Sequence, residues 1–148
     1  MPSTDTTNGC MKCRLFSILF RVFLVLYIGV VAYLCFANFK DLPDIQKTIL
    51  GIPADKVVHF CMFFPLPIIG FMAFGSDRKK PLPVLVAIIN ICAFSCIFAG
   101  ITEIIQGSLP YRSEDITDFC ADCLSICISG LLTFIVACLP RKKRRARS

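Results

Sequence analysis

Charge is scarce in this chain of 148 residues: 18% of them are Asp, Glu, Lys or Arg, 56% are hydrophobic, and the mean hydropathy is +0.74. So apolar a composition excludes intrinsic disorder, an acidic tail protein and an ordinary soluble enzyme. There is one histidine, and there is no Gly-rich phosphate loop, no Gly-x-Ser-x-Gly elbow and no Ser-His-Asp pattern, which removes soluble-type nucleophilic catalysis. A small-residue cleavage site after the first apolar stretch is also missing, so that stretch reads as an uncleaved helix rather than a signal peptide. What the chain has in quantity is long apolar runs.

About 20 apolar residues make one helical crossing, so a chain of this length holds about four spans with short loops and no large domain outside the membrane. Residues 22–39 carry no charge, and residues 57–75 are apolar except for His59. Residues 82–101 form a third run, ended soon after Gln106 by Gly107 and Pro110, and residues 119–139 form a fourth. Pro65 and Pro67 should kink the second helix. The expected fold is all-α, an integral membrane bundle of four transmembrane helices. Residues 1–13 read as a disordered cytoplasmic lead-in, residues 14–140 as the membrane domain and residues 141–148 as a polybasic cytoplasmic tail.

Ten cysteines in a small secreted protein would mean a disulfide framework. Here Cys35, Cys61, Cys92, Cys96, Cys127 and Cys138 lie inside apolar runs and read as small core residues. Cys10 and Cys13, like Cys120 and Cys123, have the spacing of redox or zinc sites, but the four-span plan puts the pairs on opposite sides, so they cannot join. A cytoplasmic thiol pair at Cys10 and Cys13 stays open beside incidental use.

The net charge of +6 divides unevenly across the plan. One side holds 12 of the 16 basic residues and sums to +10, while the other, the loops around residues 40–56 and 107–115 with the helix ends they join, holds the remaining four against eight acids and sums to −4. By the positive-inside rule both termini are cytoplasmic and those two loops face outward, the protein being multi-pass in a cell membrane. Arg141, Lys142, Lys143, Arg144, Arg145 and Arg147 follow directly on a transmembrane helix. They read as an anchor on anionic inner-leaflet lipids, with no nucleic-acid partner.

A charge at mid-membrane costs about 2.5–3.5 kcal/mol on insertion scales, so ionisable residues at apolar helix ends call for a reason. Asp55, Lys56 and His59 open the second helix, Glu103 and Gln106 close the third, and Arg112, Glu114, Asp115, Asp118 and Asp122 lead into the fourth, all at one rim. At about 100° per residue Asp55 and His59 share a face, as do Glu103 and Gln106, and as do Asp115, Asp118 and Asp122. The last stripe continues through Ser125, Ser129 and Thr133 and should face the bundle interior, opposite Cys120, Cys123 and Cys127. On the third helix Cys92, Cys96, Ala99 and Gly100 are small enough to let a neighbour approach closely.

Asp55, Asp115 and Asp118 stand at helix N-termini, where capping and function both remain open readings. Glu103 stands at a C-terminus, where the helix dipole disfavours an anion, so it needs a proton or a cation such as Arg112, Lys56 or His59. His59 lies about 6 Å inside the rim and suits an acid, a base or a metal ligand. By arithmetic His59, Glu103 and Asp118 could supply three ligands to a divalent ion, but their spacing matches no known motif, so no metal and no cofactor are assigned.

Three linked segments, Asp55-Lys56-Val57-Val58-His59-Phe60, Thr102-Glu103-Ile104-Ile105-Gln106 and Pro110-Tyr111-Arg112-Ser113-Glu114-Asp115-Ile116-Thr117-Asp118, resemble in order and spacing the VanZ-like family of small multi-pass membrane proteins. The resemblance covers roughly residues 22–139 and departs in the fourth helix, where Asp122 replaces a usual asparagine and Ser129-Gly130 a more glycine-rich segment. It implies an integral protein of the bacterial cell envelope, the family's founding member being linked to teicoplanin resistance, an antibiotic-resistance role for which the family gives no established reaction.

The expected function is binding at an outward-facing polar mouth built from Asp55, Lys56, His59, Glu103, Gln106, Arg112, Asp115 and Asp118. Its ligand is a lipid headgroup, a cell-wall precursor or a glycopeptide. The alternatives are a membrane-embedded hydrolase or headgroup-modifying enzyme using Glu103, Asp118 and His59, and a structural scaffold. Four helices are few for a transporter, although a homo-oligomer would double them.

Overall fold

A computed structural model describes residues 4–37, 48–49, 51–75, 80–110 and 115–139. Helix α1 (Thr4–Phe36) is followed by two two-residue strands, β1 (Thr48–Ile49) and β2 (Ile52–Pro53), and then by α2 (Ala54–Phe63), α3 (Pro65–Phe74), α4 (Pro81–Gly107) and α5 (Ile116–Cys138). Four stretches are long and apolar enough to cross a membrane: Arg14–Phe36, Ala54–Phe74, Pro81–Gly107 and Ile116–Cys138. The architecture is all-α, four spanning helices with one small antiparallel hairpin between the first two.

Two sequence expectations are corrected. Residues 4–13, expected as a disordered lead-in, are the opening turns of α1; once the apolar segment is helical, each residue added to its end gains a hydrogen bond without a new nucleus. The loop expected over residues 40–56 contains the hairpin, in which Ile49 pairs with Ile52, and Gly51 takes φ +82, a left-handed turn conformation open to glycine at no steric cost.

The second span consists of α2 and α3, separated at Phe64. Pro65 and Pro67 have no N–H to give to the preceding turn, which interrupts the hydrogen-bond ladder. Across the break Phe64 keeps helical dihedrals (φ −56, ψ −41) and its N–H still reaches Phe60 O at 3.1 Å, so α3 follows directly on α2. Tyr27 Oη on α1 donates to Met62 O at 2.9 Å within this weakened turn.

The bundle is apolar outside and polar at one end inside. Leu19, Leu26, Phe94, Ile104, Leu131 and Val136 are exposed, a surface suited to acyl chains and not to water. The apolar core joins Val31 and Cys35 of α1, Phe63 of α2, Leu66 of α3, Ala99 of α4 and Ile126 of α5. A second cluster, Phe71, Val84 and Ile88, fills the opposite half. There Ser17 Oγ and Arg21 Nε donate to Ala73 O at 2.8 and 3.3 Å, covering a carbonyl at the C-terminal end of α3 with α1 side chains. Helices α4 and α5 pack tightly at Gly130, where a Cβ would stand 2.5 Å from Cys92 Sγ.

Candidate functional site

The end of the bundle where α2 and α5 begin and α4 finishes gathers the ionisable side chains of the interior. Asp115 is the N-cap of α5: its Oδ1 accepts from Thr117 N at 2.9 Å and from Thr117 Oγ1 at 2.6 Å. Its Oδ2 accepts from Lys56 Nζ of α2 at 2.8 Å. Lys56 also donates to Asp118 Oδ1 at 2.9 Å and to the Thr117 hydroxyl, so the ammonium's three donors join α2 to the first turn of α5. The Lys56 ammonium, helped by the hydroxyl and amide of Thr117, holds the Asp115 carboxyl well below the usual carboxylate range.

One turn further into the bundle, His59 of α2 meets Asp122 of α5, with Nδ1 and Oδ2 3.3 Å apart. Both are buried, at 2% and 0% side-chain exposure, and His59 stacks on Phe63. Asp122 Oδ1 is buried without a hydrogen-bond partner among the described residues. Asp55, at the exposed start of α2, completes a convergence on the same face, since ligating atoms of Asp55, His59 and Asp118 lie within 4.8 Å of one another.

Glu103, on the last turns of α4, is 9% exposed. Its Oε1 accepts from Asp115 N at 2.6 Å, while Oε2 is buried and unpartnered among the described residues. The charges of Asp118, His59 and Asp122 all act on it, so it belongs to the same electrostatic cluster. A cleft of about 540 Å³ opens beside it, walled by Gly100 and Ile104 of α4 and by Ile116 and Phe119 of α5. An ionisable group at the side of an apolar cleft is an amphipathic arrangement.

Seven of the eight residues expected at the mouth fall in the described part of the chain; Arg112 and the polybasic tail lie outside it. The structure brings Asp55, Lys56, His59, Glu103, Asp115 and Asp118 together. Gln106 is committed elsewhere, its Nε2 donating to Cys35 O at 2.9 Å and so tying the end of α4 to the end of α1. The cation expected beside Glu103 is not Lys56, whose three donors are on Asp115, Thr117 and Asp118. Asp122 and Thr117 were missing from the expected mouth. Asp122 had a signal, one turn after Asp118 on the same stripe, but its pairing with His59 depends on how α2 packs on α5.

No family model matches this chain, and no solved structure matches it. It is similar to an uncharacterised protein of Schizosaccharomyces pombe, 29% identical over 115 residues. That alignment covers 77% of this chain and 61% of the yeast protein, so the chain spans under two thirds of that relative's length.

Proposed function

We propose that this multi-pass membrane protein binds the headgroup of a membrane lipid at its polar rim, with the acyl chains lying along the apolar cleft and the outer faces of α4 and α5. The observation that carries this reading is the position of Glu103, a buried carboxylate with one oxygen unpartnered among the described residues, beside a cleft whose other walls are apolar. A buried carboxylate facing an apolar cleft favours a cationic group, so the fitting headgroup carries an ammonium, as the zwitterionic lipids do. Under the positive-inside rule both termini are cytoplasmic and the rim faces outward.

The resemblance to the VanZ-like family carries the reading toward the bacterial cell envelope and tolerance of teicoplanin-type glycopeptides. The likeness to a yeast protein supports a ligand common to both kinds of cell, a membrane lipid, over a cell-wall precursor. A headgroup-modifying enzyme is the second reading, favoured by His59 and Asp122, because a buried carboxylate on Nδ1 orients an imidazole as an acid or base.

The test is lipid binding by the full chain in detergent, read by native mass spectrometry with phosphatidylethanolamine, phosphatidylcholine and phosphatidylglycerol. We expect the zwitterionic lipids to be retained over phosphatidylglycerol, and Glu103→Gln to weaken them at least about tenfold, the loss of one charge-assisted contact. Equal retention of all three lipids by wild type and Glu103→Gln would overturn the reading. The envelope role is tested by teicoplanin susceptibility of a sensitive host expressing each form at equal membrane abundance.

A further inference from the structure

Asp55 and Asp118 come from different helices, yet carboxylate oxygens of the two lie within 4.8 Å of each other. Two carboxylates at that range repel unless a proton or a cation lies between them. Lys56 contacts Asp118 at Oδ1, its other donors going to Asp115 and Thr117. The same point is faced by a third donor of a different kind, the imidazole of His59.

We propose that Asp55, His59 and Asp118 form a binding site for a divalent transition-metal ion, with Zn2+ the best match. Two ligand atoms on opposite sides of such an ion stand at most about 4.2 Å apart, given bonds of about 2.1 Å. Donor atoms already within 4.8 Å of one another therefore close on an ion through side-chain rotation, and exposed Asp55 is the one placed to swing. One imidazole with two carboxylates suits Zn2+ better than Mg2+ or Ca2+, which favour all-oxygen shells.

The independent observation is behind the ligand. His59 Nδ1 faces Asp122 Oδ2 at 3.3 Å, and both side chains are buried. This is the carboxylate–histidine arrangement that fixes the tautomer of a metal-bound imidazole, and it leaves Nε2 as the ring atom that ligates. Asp122 Oδ1 and Glu103 Oε2, buried and without partners among the described residues, add negative charge that an ion would offset. Three protein ligands leave a coordination position open. The inference deepens the headgroup reading at this rim, since an ion there would accept a phosphate oxygen of the ligand.

The test is a Co2+ titration of the full-length chain in detergent, stripped with a chelator and without added lipid, so that its failure is separate from a failure of lipid binding. Wild type should take up one Co2+ per chain, with d–d absorption, no thiolate charge-transfer band, and displacement by Zn2+. Asp55→Asn, at an exposed position that folding tolerates, and His59→Gln should each weaken uptake at least about tenfold, and Asp122→Asn by about 10–100-fold. Replacing Cys10, Cys13, Cys120 and Cys123 with Ser should leave uptake unchanged. No stoichiometric uptake by wild type, a thiolate band, or uptake undiminished in Asp55→Asn would each overturn the site. If His59→Gln fails to fold, the wild-type spectrum and Asp55→Asn decide the matter.

Discussion

Lys56 has three N–H donors and uses all of them on α5, on Asp115, Thr117 and Asp118, so one side chain does the work of a clasp between two helices. Its two acids are unequal partners: Asp115 is 44% exposed and Asp118 8%. Water can solvate Asp115 when the lysine is gone, but it reaches Asp118 poorly. Lys56→Met should therefore lower the thermal midpoint, followed by helical circular dichroism in detergent, more than Asp115→Asn does, and adding Asp118→Asn to Lys56→Met should recover part of the loss. The same contact has a pH signature. The folded Asp115 carboxyl lies below its ordinary value of about 3.9, so its share of stability is present above that pH and is lost as pH falls toward the lower folded value. The difference in midpoint between wild type and Asp115→Asn should stay constant from neutral pH down to about 4 and shrink only below it. A difference that disappears between pH 7 and 5 would mean that Lys56 does not hold this carboxyl in the folded protein.

Between α4 and α5, one tightly packed position is Gly130. An added Cβ would stand 2.5 Å from Cys92 Sγ, and Ile88 Cγ2 lies behind at 3.6 Å, so α5 can lie this close to α4 only without a side chain. Gly130→Val should cost about 1–3 kcal/mol through overpacking, and Cys92→Ala should return a measurable part of it in a double-mutant cycle of denaturant unfolding. Additive costs would show that the two positions do not touch. The helical period alone put Asp118, Asp122, Ser125 and Ser129 on one face of α5, and all four are buried. Spans and faces were legible because composition and a period of 3.6 residues are properties of one element at a time. Partners were not: that His59 meets Asp122, and that Gln106 reaches back to Cys35 O, depends on the relative rotation and depth of packed helices. The hairpin at Gly51 was illegible for another reason, since two residues per strand are too few for any alternation to register.

For the whole molecule, the acids and the basic residues are unevenly divided along the sequence. By sequence, twelve of the sixteen lysines and arginines belong to the segments at the start of the first span, between the second and third and after the fourth, which sum to +10, while the rest of the chain sums to −4. Short basic segments next to spans resist translocation, so the orientation proposed above, with both termini cytoplasmic and the site outward, rests on this distribution. A green fluorescent protein fused after Ser148 should fluoresce, and alkaline phosphatase fused there should be inactive. The phosphatase inserted after Ser108, at the rim, should be active. The orientation should also depend on charge alone: changing Arg78, Lys79, Lys80 and the six basic residues of the tail to Gln removes nine positive charges, leaving the outer face of the distribution nearly matched by the inner one. That variant should insert in mixed orientation, giving both reporters partial activity. Full phosphatase activity at the C-terminus of the unmodified protein would reverse the arrangement and put the Asp55, His59 and Asp118 site in the cytoplasm, where its lipid and its metal would have to be drawn from the inner leaflet.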